Sequence, residues 1–201
     1  MIDASALAWD KMDGLLPVVV QDADTLQVLM LGYMSREALA ETEKSGRVTF
    51  FSRSKARLWQ KGETSGNHLE LVDLGPDCDG DALLVRARPA GPTCHRGTTS
   101  CFGDEAAPGV GFLAHLGHII EERARALPPG SYTTELLSAP VTRVAQKVGE
   151  EAVETVVAAL AQDDAALAGE AADLVYHLLV LLQRRGLGLE DVVATLRARH
   201  R

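Results

Sequence analysis

Cysteine is scarce in this chain of 201 residues: only Cys78, Cys94 and Cys101 occur, and no two form a CxxC pair. An odd count argues against a disulfide framework. The spacing is not that of a zinc ribbon, and three thiols cannot close a four-cysteine site within one chain. Positive charge is in deficit, with 20 Lys and Arg against 28 Asp and Glu, a formal charge of −8 spread evenly along the chain. Without a basic stripe the chain is a poor nucleic-acid binder, so no nucleic-acid partner is expected; local Arg/Lys clusters still suit small anions. No uninterrupted apolar run approaches the roughly 20 residues of a membrane-spanning helix. The first residues, MIDASALAWDKMDG, lack a basic region followed by an apolar stretch. A cytoplasmic protein with no membrane partner is therefore expected. Hydrophobic residues at 46% and charged residues at 24% exclude disorder and collagen-like structure as the main state. The length allows one domain or two small ones.

What is present divides into two textures. Up to residue 104 the apolar pattern is short and broken, and most of the few aromatics lie there (Trp9, Tyr33, Phe50, Phe51, Trp59 and Phe102). LPVVVQDADTLQVLMLGYM predicts two strands around a turn at Asp22–Thr25. VTFFSRS, HLELVDLG and DALLVRARP predict further strands. SREALAETEKSG predicts a short helix with Ser35 as N-cap and Gly46 as stop. The Gly/Pro-bearing stretch after Phe102 reads as a linker. Beyond it the pattern becomes helical: Phe112–Ala126 before Pro128–Pro129–Gly130, then Val141–Ala161, Asp164–Arg185 and Glu190–His200. Val144, Val148, Ala152, Val156, Ala159 and Leu160 follow one helical stripe; Leu174, Val175, Leu178, Leu181 and Leu182 follow another. The expected fold is two domains: an N-terminal α+β domain, mostly strands with a short helix, over 1–104; a linker over 105–111; and a C-terminal all-α helical bundle over 112–201. A bundle this small often completes its core by dimerising.

Three segments of the first half carry chemistry. DCDGD places Asp77, Asp79 and Asp81 at alternate positions, which in an extended segment share one side while Cys78 takes the other. Such a carboxylate trio suits a hard cation such as Mg2+, and the thiol suits a softer one such as zinc; an acidic surface turn reads the same way. GPTCHRGTTSCF adds Cys94, His95 and Cys101. With Cys78, these thiols make either a zinc site with one open position or three separate buried groups. FFSRSKARLWQKGETSGN mixes Arg53, Lys55, Arg57 and Lys61 with Ser52, Ser54, Thr64, Ser65, Gly62 and Gly66. That composition suits a phosphate, and equally a charged hairpin. Trp59 either stacks on a base or fills the core.

In this order and spacing, the three segments resemble the phosphoribosyl-AMP cyclohydrolase family over about residues 10–104. The resemblance implies a zinc-activated water that opens the adenine ring of phosphoribosyl-AMP at N1–C6. It implies zinc on Cys78, Cys94 and Cys101, magnesium on Asp77, Asp79 and Asp81, and a homodimer with active sites near the subunit interface. It makes His95 the candidate for proton transfer, with Glu63 as the alternative.

The helical half carries its own acids. Lys147, Glu150, Glu151 and Glu154 lie along one helical stripe; Glu170 and Asp173 stand three apart, with His177 one turn later. Clustered like charges need compensation, and two such helices facing each other can bind Mg2+; a solvated acidic face is the bland alternative. His177 reads as a satisfied core or interface histidine. Ser131–Tyr132–Thr133, KVGEEAVE and EAADLVYHLL together resemble the phosphoribosyl-ATP pyrophosphohydrolase family, within the MazG-like all-α pyrophosphohydrolases. By that resemblance, Glu150, Glu151, Glu154, Glu170 and Asp173 hold Mg2+ on the triphosphate. Arg143, Lys147 and the Ser131–Thr133 segment contact phosphate. One departure stands out: Ala139–Pro140 occupies a place where the family's pattern has a glycine. Proline has no N–H, so a phosphate contact through that amide is not expected. The small-molecule nucleotides of these two families are the expected substrates.

Overall fold

The computed structural model describes residues 2–103 and 107–200. It divides into two compact units, Met1–Phe112 and Leu113–Arg201.

In the first unit, alternation of apolar and polar residues makes β1 (Leu16–Asp22) a strand buried on one side, with Leu16, Val18, Val20 and Asp22 turned inward. Asp22 ends it: its carboxylate accepts the N–H groups of Asp24 and Thr25, both at 2.9 Å, and so turns the chain into β2 (Val28–Met34), antiparallel to β1. Helix α1 (Arg36–Ser45) starts where the Ser35 hydroxyl accepts the Ala38 N–H. It stops at Gly46, whose φ of 68° is a left-handed conformation that glycine adopts freely. A hairpin of β3 (Thr49–Ser52) and β4 (Arg57–Gln60) follows, then β5 (Leu69–Pro76) and β6 (Leu83–Pro89). The main sheet has the order β2-β1-β6-β5, with β1 and β6 parallel and the other pairs antiparallel. Its core gathers Leu16, Val18, Val20, Leu29, Met34, Leu39, Phe50 and Val85, and Trp59 packs at its edge with its ring stacked on Phe50 at 5.8 Å.

The hairpin is one of the two readings the segment allows, but no strand is predicted at β4: its four residues, Arg57 the one charge among them, are too few to show the pairing that register with Thr49–Ser52 imposes. The Asp77–Asp81 stretch, which reads either as an extended segment or as an acidic surface turn, is a turn between β5 and β6. Gly80 at φ 76° bends the chain there, and the Gly80 carbonyl accepts the Ala8 N–H at 2.8 Å. The argument from alternating strand faces therefore fails for Cys78 and the three aspartates. The expected linker is described only in part. Asp104–Ala106 lie outside the described residues, and the Ala107 N–H is tied to the Gln27 side chain at 2.8 Å.

The second unit is all helix: α2 (Gly111–Ala126), α3 (Tyr132–Ser138), α4 (Val141–Ala161), α5 (Asp164–Arg184) and α6 (Leu189–Arg199). Helix α3 replaces the loop expected at Ser131–Thr133. Ser131 caps it through its hydroxyl, a start signal that seven residues are too few to reveal by periodicity. Helices α4 and α5, joined through Gln162–Asp163, pack on each other. The core comprises Ile120, Leu136, Leu137, Val144, Leu179 and Val180. Only the first part of the apolar stripe of α4 enters it. Val153 is 63% exposed, Val156 57% and Leu160 83%, and Val175 and Leu178 on α5 are also exposed. A single copy does not cover these faces. Helix α5 is the one described helix long and apolar enough on average to cross a membrane, although Glu170 and Asp173 interrupt it.

The turn after β4 depends on Gly62, at φ 83°, where an added Cβ would lie 2.4 Å from the Asn67 backbone. For a residue with a Cβ the left-handed conformation alone costs about 1–2 kcal/mol, before the clash. Gly62→Ala is expected to lower the melting temperature of the first unit by several degrees, measurable by calorimetry, with the second unit's transition unchanged.

Candidate functional site

The loop Thr93–Cys101 is fastened to β2. The Ser100 hydroxyl donates to Val28 O at 2.7 Å and the Cys101 N–H to Leu29 O at 2.8 Å, while the Cys94 N–H closes a turn onto Thr98 O at 3.0 Å. Cys94 is buried and Cys101 exposed. The Arg96 backbone N–H and the Thr98 hydroxyl hold the Cys94 thiol below its ordinary pKa, whereas partial desolvation of its sulfur and the Cys94 charge push Cys101 up. The two thiols interact, and His95 lies beside them, its Nδ1 3.9 Å from Cys94 Sγ. Thr93, next in the chain, has a buried hydroxyl with no partner among the described residues. Cys78 sits apart on the β5–β6 turn, and the three sulfurs do not form a ligand group among the described residues.

The Asp77, Asp79 and Asp81 carboxylates do converge, with oxygen atoms within 4.8 Å of one another. Lys11, from the turn Trp9–Met12, reaches into the group, with Nζ 2.6 Å from Asp79 and 3.2 Å from Asp81. It holds Asp79 below the usual carboxylate range. Nothing in the sequence pattern links Lys11 to this turn, 68 residues away.

The segment from β3 to Asn67 divides by role. Ser52, Arg53 and Ser54 lie at the hairpin tip, where the Arg53 guanidinium covers the Tyr33 ring at 3.8 Å. Thr64, Ser65 and Gly66 are exposed on the following turn. Lys61 is not a free cation. It is buried, with Nζ donating to Asn67 O at 3.2 Å; burial lowers its pKa, opposed by the charges of Cys101 and Cys94. Glu63 is gripped by both terminal nitrogens of Arg57, at 2.5 and 3.2 Å, which lowers its pKa and makes it a weaker base.

In the second unit, Glu151 and Glu154 of α4 and Glu170 of α5 bring carboxylate oxygens within 4.8 Å. Glu150 and Asp173 lie outside this trio. Glu150 accepts from Gln146 at 2.7 Å and Lys147 at 2.9 Å, with Arg143 at 3.8 Å; Asp173 is exposed. Lys147 bridges Glu150 and Glu151, each at 2.9 Å, which lowers both carboxyls and raises Lys147. Glu154 has only weak relief from Lys147: the charge of Glu151 first, then desolvation, and further on Glu170, push it up. Thr133 is buried, its hydroxyl bonded to Arg123 at 2.7 Å and Tyr176 at 2.8 Å; sequence reasoning missed both partners. At Ala139–Pro140 no amide remains for a ligand. The Ala139 N–H donates to the carbonyls of Glu135 and Leu136, and proline has none.

Sequence comparison accounts for both groups. The sequence model of the phosphoribosyl-AMP cyclohydrolase family matches residues 30–103, and that of the phosphoribosyl-ATP pyrophosphohydrolase family matches 113–200. The histidine biosynthesis bifunctional protein HisIE of Xanthomonas axonopodis pv. citri is 61% identical over 196 residues, 98% of this chain and 94% of that one. HisIE of Escherichia coli K12 is 58% identical over 194 residues, 96% and 95% of the two chains. This chain belongs to the HisIE family. HisIE proteins join the two enzyme classes in one polypeptide, and the chain is both a phosphoribosyl-AMP cyclohydrolase and a phosphoribosyl-ATP pyrophosphohydrolase. Each of its units holds an acidic group able to take a cation.

Repulsion at Glu154 has a thermodynamic signature. A carboxyl whose folded pKa lies above its unfolded value weakens the fold once pH rises through that value and it ionises. Glu154→Gln is expected to raise the melting temperature of the cation-free second unit at neutral pH. The gain should vanish as pH falls through the carboxylate range, and the stabilisation by added Mg2+ should shrink. Calorimetry with and without EDTA reads all three.

Proposed function

We propose that the chain performs two consecutive hydrolyses of histidine biosynthesis: residues 112–201 cleave phosphoribosyl-ATP to phosphoribosyl-AMP and pyrophosphate, and residues 1–104 open the adenine ring of that product at N1–C6, with 105–111 as the connection. The observation that carries this reading is chemical separation. One unit combines paired thiols with an aspartate group, and the other holds a glutamate trio without a thiol.

For the cyclohydrolase, Cys94 and Cys101 suit zinc, since the two thiols interact, one is already biased toward thiolate, and Cys94 lies beside His95. Cys78, on its separate turn, completes the set from a second copy of the chain, which makes the enzyme a homodimer. Zinc, when bound there, lowers the pKa of a water ligand and supplies the nucleophile. His95 moves the proton, being exposed and adjacent to the thiols, whereas Glu63 is committed to Arg57. Lys61, buried beside the thiol pair, offsets their negative charge. Ser52, Arg53, Ser54, Thr64 and Ser65 offer donors to the substrate's phosphates. Gly62 and Gly66 shape the turn that presents them, and Trp59 props the hairpin from the core side. Asp77, Asp79 and Asp81 suit Mg2+, with Lys11 as resident counter-charge.

For the pyrophosphohydrolase, Glu151, Glu154 and Glu170 hold Mg2+, with Glu150 and Asp173 at its margin. Mg2+ held there would neutralise charge on the triphosphate, where water adds to the α phosphorus and the α–β bridging P–O bond breaks to release pyrophosphate. Arg143, Lys147 and Ser131 provide phosphate donors from side chains, which fits the lack of a free amide at Ala139–Pro140. The exposed apolar residues Val153, Val156, Leu160, Val175 and Leu178 support a dimer through this unit too. A cytoplasmic location fits three free thiols.

With phosphoribosyl-ATP, Mg2+ and trace Zn2+, wild type should release pyrophosphate and then show the absorbance change of ring opening. Cys101→Ala should stop with phosphoribosyl-AMP accumulating. Pyrophosphate release without ring opening in wild type would defeat the cyclohydrolase half. Cys78→Ala and Cys101→Ala, each inactive in ring opening, should regain activity when unfolded together and refolded, because a mixed dimer contains one intact set of thiols. No recovery would argue against shared ligation.

A further inference from the structure

Tyr132 and His177 form a device in the second unit that the reaction as described does not use. His177 on α5 is 4% exposed. Its Nδ1 faces two acceptors, Asp173 O at 2.9 Å and Glu151 Oε1 at 3.5 Å, and therefore carries a proton. In the neutral imidazole Nε2 is then the acceptor, and the Tyr132 hydroxyl, 3.1 Å away, donates to it. The phenol proton is thus turned inward and is not offered to a phosphate. Tyr132 nevertheless remains 51% exposed. It is held on two further sides: stacked on Tyr176 at 6.4 Å and 22°, and edge-on to His177 at 6.1 Å and 88°. An exposed aromatic plane, anchored at its hydroxyl and backed by a second ring, presents a π-face with its orientation already fixed. Only an imidazole separates it from Glu151, a member of the acidic trio. One nucleotide can therefore span the two, base on the ring and phosphates at the acids.

We propose that Tyr132 is the stacking platform for the purine base of the pyrophosphohydrolase substrate, and that His177 is the positioning residue that fixes its plane. This reassigns Tyr132 from phosphate contact to base recognition, and it rests on the reading of this unit as a nucleotide pyrophosphohydrolase. His177 differs from a merely buried histidine in that its two nitrogens join the base platform to a cation-holding carboxylate.

The test measures pyrophosphate release from phosphoribosyl-ATP by the full chain. Mn2+ affinity, read by electron paramagnetic resonance in an Asp79→Asn/Asp81→Asn background, isolates the glutamate trio. Tyr132→Leu should raise KM about tenfold, the scale of one lost base–aromatic stack, with kcat and Mn2+ affinity unchanged. Tyr132→Phe and His177→Asn should each raise KM by a smaller factor, and the double variant by no more than either alone, because both remove the same hydrogen bond. His177→Gln, whose side-chain carbonyl can accept from Tyr132, should restore much of the wild-type KM. An unchanged KM in Tyr132→Leu, or a loss in kcat or Mn2+ affinity instead, would overturn the platform. Additive effects of Tyr132→Phe and His177→Asn would overturn the positioning role. A wild type that releases no pyrophosphate would overturn the pyrophosphohydrolase reading itself, and the platform with it.

Discussion

Like charge held at close quarters is the constraint on which both units depend. Three aspartates on one turn, and three glutamates shared by two helices, bring their oxygens within 4.8 Å of one another. Isolated acids at such spacing repel and disfavour the conformation that gathers them. The chain answers with lysines. Lys11 reaches from the N-terminal turn to Asp79 and Asp81, and Lys147 bridges Glu150 and Glu151 within its own helix. Neither lysine satisfies every acid. Glu154 stays above its ordinary value because the charges of Glu151 and Glu170 outweigh the help it gets from Lys147. The residual repulsion is the electrostatic condition that a divalent ion relieves, so the same arrangement that burdens the fold favours the ligand.

The scaffolds meet this constraint differently. In the first unit the acids sit on a turn that β5 and β6 hold between them, and the N-terminal segment is drawn onto it by the Ala8–Gly80 hydrogen bond and by Lys11. A tether of this kind places a flexible, half-exposed amine where a cation would bind. In the second unit the acids are projected from two long helices packed on each other, so helical geometry sets their spacing, and buried Glu151 also meets His177 of the facing helix. The networks around Thr133 and His177 then add side-chain precision: Arg123 and Tyr176 hold the hydroxyl of Thr133, while Asp173 O and Glu151 hold the imidazole that anchors Tyr132.

Much of this was legible in the sequence, for identifiable reasons. Ser35 and Gly46 announce α1 because capping is local chemistry, and Val141–Ala161 is bounded by Pro140 and by the loss of apolar periodicity. The acidic pairs on α4 and α5 followed from their spacing. Strand β4 did not, because its identity lies in pairing with β3 and not in its own pattern; α3 did not, because a seven-residue helix shows less than two turns of periodicity. The extended reading of Asp77–Asp81 failed at Gly80, whose left-handed φ is a property of the turn as a whole. Lys11 and the grip of Arg57 on Glu63 were invisible because exposed ion pairs are chosen by tertiary proximity. The fate of Lys61 was hidden for the opposite reason: a cation in a phosphate-like segment gives no sign that the fold will bury it against Asn67.

Two features that look like defects in one copy have the same resolution. Cys78 stands apart from Cys94 and Cys101, and the apolar face of α4 around Val153, Val156 and Leu160 is uncovered although the rest of the helix packs well. Each would be costly in isolation: a soft-metal ligand set short of one thiol, and apolar side chains left in water at roughly 25 cal/mol for each Å2 that could have been buried. In the proposed homodimer a second copy would remove both burdens at once, the first by exchanging ligands and the second by covering the helices. If both hold, fusing the units does more than keep two activities in equal number. Dimerisation driven by the apolar faces of one unit raises the local concentration of the other and favours assembly of the shared thiol site. The helical unit would then contribute to ring opening without touching the ring.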